Sequence, residues 1–377
     1  MSLLGRERTM TDPLKTLETE PRYRETSISR KGFPIAGIQT TVFGLDELPP
    51  QSSEIACLWL LHPRLATFER MVPIATAVIN DWNKRIETGH AGCKGSTKGL
   101  IAVAFDQRNH GTRLVDPLCN ESWKKGNPRH AQDMFSVFQG TARDTSLLMD
   151  YLPAFVFPNT DKRISENLVL GVSLGGHAAW SCILHEPRIS TGVVIIGCPD
   201  YANVMADRAR LSKLPSWNDT MPEGAQFLGS EDFPSTLLDA VRKWDPAGLF
   251  LSHLDLSPEA GPIRNAPIPE PTETQKTILR PLFTQCLAGK KILNLSGGKD
   301  KLVPYSKGET FLSWLKQAVG PDGWFADGVI TLEDIIDQNA GHEVTPKMVD
   351  QAVRFIGDAL ACGKDEVKKA SVRESKI

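Results

Sequence analysis

Apolar residues along this chain come in short dense runs, separated by longer stretches with helical period. The runs fall at 55–61, 100–105, 168–172, 193–197, 292–295 and 329–332. Each is nearly all apolar, with little polar alternation, as expected of strands buried on both faces of a parallel sheet. Two later stretches read clearly as helices. Ser306 is placed to cap one that carries Phe311, Leu312, Leu315 and Val319 on one face and stops at Gly320 and Pro321. Thr345 and Pro346 open another, with Val349, Ala352, Val353, Ile356 and Leu360 on one stripe and Gly363 beyond its end. Strand alternating with helix predicts an α/β fold, a doubly wound and mostly parallel sheet.

The alternation breaks over about 201–289. This stretch holds a proline-rich run at 257–271 and a helical piece at 234–243 but no clear strand series. It reads as an insertion between two strands, either a lid over a site or a surface decoration. Within it Trp217, Met221, Phe227, Phe233 and Trp244 can line an apolar acyl pocket or pack against one another. Residues 1–22 are charged and polar and are expected to be loosely ordered; one domain spans 23–362, and a polar tail covers 363–377.

Composition narrows the function. A net charge of −2 over 377 residues lacks the basic excess of a nucleic-acid binder. No apolar run reaches the roughly 18 residues of a membrane span. Residues 1–10 show no secretory apolar core. The seven cysteines (57, 93, 119, 182, 198, 286 and 362) are scattered and never spaced as CxxC. That fits a reducing compartment better than a disulfide framework or a zinc site.

The strongest local signal is Gly171-Val172-Ser173-Leu174-Gly175-Gly176, which follows an apolar run and opens a helix carrying Ala178, Ala179, Cys182 and Ile183. A serine on such a tight strand-to-helix turn is held above the sheet, where the Leu174 N–H can meet a developing oxyanion. The bland alternative is a glycine-rich turn that packs helix on strand. A serine hydroxyl needs a base. Asp300, in Gly297-Gly298-Lys299-Asp300, follows the run at 292–295, and His342 precedes the last helix. An aspartate there can fix the tautomer of the histidine, and the order Ser, Asp, His suits this strand–turn–helix arrangement. Taken singly, Asp300 reads as a turn residue and His342 as a helix cap.

Asp200, in Cys198-Pro199-Asp200, is the rival acid. His177, one turn from Ser173, reads as packing. His110 lies in the loop 106–111, expected to tie the sheet top together by hydrogen bonds. His90, His130, His185 and His253 have no partner pattern. A second oxyanion donor belongs after the run at 55–61, where the chain reads Leu61-His62-Pro63-Arg64. Pro63 has no N–H to give, which leaves Arg64 or Leu65. The side chain of Arg64 alternatively sits at the surface or meets an anionic substrate.

On these segments the chain resembles the α/β-hydrolase superfamily from about residue 55 to 360. The resemblance implies a serine hydrolase that cleaves an ester or thioester of an acyl group through an acyl-enzyme, with Ser173, Asp300 and His342 as triad and backbone donors at Leu174 and Arg64. It departs from the common His-Gly pattern at His62-Pro63. No metal or organic cofactor is implied, and the partner is a small-molecule acyl substrate. An acyltransferase with the same triad, a serine peptidase and a non-catalytic binding protein on the same scaffold remain as alternatives. The last three residues, Ser375-Lys376-Ile377, differ by one conservative change from the peroxisomal address S-K-L, which predicts an import receptor as a further partner. With that tail the chain is similar to hydrolases of fungal clusters for host-selective toxins of the AK-toxin type, which implies a fatty-acid-like substrate in secondary metabolism.

Overall fold

A computed structural model describes residues 12–21, 28–90, 98–159, 161–218, 222–256 and 262–361. Eight strands form one sheet: β1 (Arg30–Ile35), β2 (Ile38–Phe43), β3 (Glu54–Leu61), β4 (Gly99–Phe105), β5 (Arg163–Val172), β6 (Ile189–Ile195), β7 (Lys291–Gly297) and β8 (Thr331–Asp337). Their order is β1-β2-β4-β3-β5-β6-β7-β8, with the β1–β2 and β2–β4 pairings antiparallel and the other pairings parallel. This is the architecture of the α/β-hydrolase fold.

The apolar runs lack alternation because helices cover both sides of the sheet. Along β3, Cys57, Trp59 and Leu61 face one core, and Leu58 and Leu60 face the other. The first core is filled from α3 (His130–Val156), α4 (Leu174–His185), α8 (Glu273–Leu287) and α9 (Glu309–Val319). The second is filled from α2 (Val72–Glu87) and α10 (Pro346–Ala361). The chain therefore crosses to opposite faces after β3 and after β4. The crevice beyond the C-terminal ends of β3 and β5 lies at this switch point, where open α/β sheets bind ligands.

Several expectations shift. β1 and β2 lack a dense apolar signature because β1 is an edge strand exposed along most of its length. They are joined by Ala36 and Gly37, both at positive φ (49° and 79°), the backbone of a tight two-residue hairpin. The last strand begins at Thr331 rather than Val329, because Val329 is left-handed (φ 51°) and 66% exposed. Ser306 does not cap α9: residues 305–307 form a 3₁₀ turn, and the helix follows Gly308 with the apolar face as expected. Thr345 does accept from the Met348 N–H (3.3 Å) at the start of α10. Gly363 lies outside the described residues.

The expectation of loose order over 1–22 fails for residues 12–21. A short helix, α1 (Lys15–Thr19), packs Leu14 and Leu17 into the second core. Thr16 Oγ1 donates to the Val344 carbonyl (2.7 Å), and the Val344 N–H donates to the Pro13 carbonyl (2.8 Å). Two leucines three residues apart, Leu14 just before the helix and Leu17 within it, anchor a helix whose other side chains stay at the surface.

Between β6 and β7 stand α5 (Tyr201–Ser212), α6 (Ser235–Trp244), α7 (Pro246–Leu251) and α8. Trp217, Phe227 and Phe233 are buried and pack in series, with ring centroids 6.1 and 5.4 Å apart. Trp244 lies instead against His185 (4.9 Å). These four side chains are occupied in packing. Met221 lies outside the described residues. No described helix is long and apolar enough to cross a membrane.

Candidate functional site

β5 runs directly into α4, and the turn between them is Ser173, at φ 55° and ψ −112°. A non-glycine residue there carries backbone strain, which the surroundings hold in place. The Ser173 N–H donates to the Ile195 carbonyl (2.9 Å), and its own carbonyl accepts from the His177 N–H (3.1 Å). The flanking glycines are required by contact. A Cβ on Gly171 would lie 1.9 Å from the Gly175 carbonyl oxygen, and one on Gly175 would lie 2.0 Å from that of Leu61. Gly175 thus lets α4 press against the end of β3, which brings the His62–Arg64 loop beside the turn.

Ser173, His342 and Asp300 come together although they are far apart in the chain. Ser173 Oγ lies 2.9 Å from His342 Nε2, and His342 Nδ1 lies 2.7 Å from Asp300 Oδ2. The other carboxylate oxygen, Asp300 Oδ1, accepts the N–H groups of Leu302 (2.8 Å) and Val303 (2.9 Å). The acid is thereby fixed by its own loop. With Nδ1 donating to the carboxylate, Nε2 presents a lone pair to the serine. Ser173 is 8% exposed and Asp300 5%, so the chain of hydrogen bonds is largely shielded from water.

Asp200 is not in this arrangement. Its carboxylate is held bidentately by Arg264 (2.7 and 2.6 Å) and caps α5 through the Asn203 N–H (3.1 Å). It fastens the 201–289 segment to the sheet. His177 is buried, stacks on Phe138 (centroids 5.5 Å) and reaches the Cys198 carbonyl (2.9 Å); burial, then the nearby Arg208, push its pKa down to about 3.

Arg64 follows β3 with its side chain turned to the Asn120 carbonyl (2.5 Å). Leu65 is left-handed (φ 60°) and exposed. His62 has a role the sequence reading passed over. Its Nε2 accepts the Gln107 N–H (2.9 Å), so its Nδ1 carries the proton and donates to the Pro63 carbonyl (2.8 Å). That carbonyl belongs to the same planar peptide as the Arg64 N–H. Gripping one end of the unit fixes where the other points. Burial drives the His62 pKa down to about 4, so the ring stays neutral and keeps this tautomer.

The loop after β4 braces the crevice. Asp106 accepts from the Phe68 N–H (3.0 Å) and from both the N–H and the hydroxyl of Thr112 (2.8 and 2.9 Å). A Cβ on Gly111 would strike that carboxylate at 2.2 Å. His110 and His62 pack edge to face (5.4 Å). His130 lines a cavity together with Arg64 and Arg208. Its Nδ1 meets the Glu121 carbonyl (2.9 Å), and its Nε2 lies 3.3 Å from an Arg208 nitrogen. A histidine and an arginine 78 positions apart leave no local signal to find them by. His90 and His185 lie elsewhere, against Thr88 Oγ1 (2.9 Å) and the Trp244 carbonyl (3.1 Å), and His253 follows α7.

No protein-family model matches the sequence, and no curated protein shows significant similarity to it. Among solved structures, the chain is similar to TT1662 from Thermus thermophilus (TM-score 0.49, 17% identity, 89% of this chain and 99% of that one). It is similar also to acetyl xylan esterase 1 from Thermoanaerobacterium sp. JW/SL YS485 (TM-score 0.41, 15% identity, 92% and 91%). A third is the Pyrococcus furiosus esterase Pf2001 (TM-score 0.41, 13% identity, 89% and 91%).

Proposed function

We propose that the protein is a serine hydrolase that cleaves an ester or thioester of an acyl substrate. The observation that carries this reading is the continuous hydrogen-bonded line from Ser173 Oγ through the His342 ring to Asp300. In the proposed reaction Ser173 Oγ attacks the acyl carbonyl carbon while its proton passes to His342 Nε2. Asp300 stabilises the imidazolium that forms. The carbonyl oxygen becomes an oxyanion and accepts hydrogen bonds from the N–H groups of Leu174 and Arg64. The tetrahedral intermediate collapses as the bond to the alcohol or thiol breaks, and His342 returns the proton to the leaving group. Water then gives a proton to His342, attacks the acyl-enzyme and releases the acid.

The test is labelling by a fluorophosphonate probe, with turnover of short and medium p-nitrophenyl esters and acyl-CoA thioesters. Wild type is compared with Ser173→Ala. Labelling and turnover that both vanish in the variant are expected. A folded wild type that neither labels nor turns over any of these acyl donors overturns the proposal. Products formed with and without an added alcohol or amine separate hydrolysis from acyl transfer. The tail, Ser375-Lys376-Ile377, lies outside the described residues; its likeness to S-K-L supports peroxisomal import and, with it, a fatty-acid-like acyl group. Deleting the three residues from a tagged chain is expected to disperse a punctate signal, and unchanged puncta would count against the address.

A further inference from the structure

A cavity of about 180 Å³ opens between the loop that carries Asp300 and the loop that carries Arg64. Its wall includes Arg64 and also Leu302, whose N–H holds the Asp300 carboxylate. It therefore lies beside Asp300, at the acid end of the line that begins at Ser173, and reaches the Arg64 loop at the end of β3. Its charge is one-sided. Arg64, Arg208, Lys124 and Lys301 line it against one carboxylate, Asp207. Asp207 is already engaged by Arg210 (2.8 Å) and Lys307 (3.5 Å).

Arg208 is the unusual group. Its guanidinium is held by neutral acceptors alone: His130 Nε2 (3.3 Å), Met134 Sδ (3.1 Å) and the Leu302 carbonyl (3.1 Å). Its Nε is buried without a hydrogen-bond partner, and among the described residues no carboxylate forms an ion pair with it. The His130 lone pair is turned toward it because the other ring nitrogen meets the Glu121 carbonyl. Burial lowers the Arg208 pKa even against the nearby carboxylates of Asp300 and Asp207, and burial, then the charge of Arg208, holds Arg64 down at about 10. The carboxylates of Asp300 and Asp207 act on Arg208 only through space, without an ion pair, and both are engaged elsewhere, so a guanidinium largely withdrawn from water is incompletely offset, which is costly. An anion in the cavity would offset that cost, and a guanidinium suits carboxylate and phosphate alike.

We propose that this cavity takes an anionic group, a carboxylate or a phosphate, carried by the substrate that Ser173 attacks. The proposal rests on the hydrolase reading above and narrows its substrate to an acidic one. The carboxylate sits either at the far end of the acyl chain, as in a dicarboxylic half-ester, or the phosphate sits on the leaving group, as in a coenzyme thioester.

The experiment compares charged and capped members of matched pairs. Mono-p-nitrophenyl esters of glutarate, adipate and suberate are set against the same esters with the free carboxyl methylated. Hexanoyl-CoA is set against hexanoyl-N-acetylcysteamine, which lacks the phosphates. At least one charged member is expected to exceed its partner in kcat/KM by about tenfold or more, and which pair does so names the source of the anion. That ratio is expected to fall to about 2 or less in Arg208→Gln and to recover in part in Arg208→Lys. Inorganic phosphate or glutarate is expected to compete with a capped ester in wild type, a readout that needs no variant to fold. Capped members turned over as well as charged ones, with no competition by either anion, overturn the subsite and leave the hydrolase reading intact. An unchanged ratio in a folded Arg208→Gln overturns it too. Absence of both probe labelling and all turnover removes the hydrolase reading itself, and the subsite falls with it.

Discussion

Ser173 sits at φ 55°, where a side chain costs about 1–3 kcal/mol of backbone strain. Ser173→Ala keeps that strain and removes the hydroxyl. Ser173→Gly removes both. Both variants are expected to lose turnover by about 10³-fold or more, but Ser173→Gly is expected to be the more stable by about 1 kcal/mol, after its larger entropy loss is counted. Urea unfolding midpoints decide it: equal midpoints would mean that the turn is not strained at this residue. In the proposed reaction His62 acts through the Pro63–Arg64 peptide rather than by touching substrate. His62→Ala is expected to lower kcat by about 10²-fold, the scale of losing one oxyanion donor, with a smaller change in KM. A lowered KM-limited rate with kcat intact would assign His62 to binding instead. Ser173, Asp300 and His342 were legible because each falls at a strand end in a recognisable local context. His62 was passed over because its role depends on Gln107, 45 positions away, turning its ring. Arg208 and His130 escaped for the same reason, being joined only by the packing of α5 beside the helix that begins at His130.

At the scale of elements, the site depends on how closely α4 approaches β3. The first turn of α4 lies against the Leu61 and His62 carbonyls, an approach that only glycine at 175 permits. Gly175→Ala must push the helix or the His62–Arg64 loop away. It is expected to cost several kcal/mol of stability, as overpacking at backbone does, and to reduce turnover in whatever fraction folds. A thermal midpoint within one degree of wild type would show that the contact yields easily. The central strands β3 to β7 were visible in the sequence because they are buried on both faces and so read as unbroken apolar runs. The edges were not. β1 is exposed along most of its length, β2 is largely buried but carries Gln39, Thr40 and Thr41, and the run at 329–332 reaches only the first two residues of β8, which goes on through Glu333 and Asp334, where Asp334 accepts from Tyr305 and Lys316. A buried strand reports its environment in its own composition; an edge strand depends on its neighbours.

Across the whole molecule, histidine governs the response to acid. Burial holds five rings below their ordinary pKa: His62 to about 4, His177 to about 3, and His110, His130 and His185 in the same direction. In the unfolded chain each ring binds a proton near pH 6.5. Lowered folded pKa values mean that the unfolded state takes up more protons as pH falls. Stability therefore declines from about pH 7 downward, by about 1.4 kcal/mol per pH unit for each additional proton bound on unfolding. The thermal midpoint is expected to drop steeply between pH 7 and 5, before most carboxylates titrate; a flat profile over that range would contradict the buried neutral rings. The segment from Pro13 to Leu17 adds a mechanical consequence. It is sewn to Val344, two residues past His342, by hydrogen bonds in both directions. This segment is thus a clasp on the loop that carries His342. Cutting before residue 12 should leave the clasp closed. Cutting after residue 21 should release it, so that a trimmed protein keeps its sheet and its melting cooperativity yet loses the alignment of His342 with Ser173. An expression boundary drawn to tidy away a polar leader would then yield a folded protein with little activity.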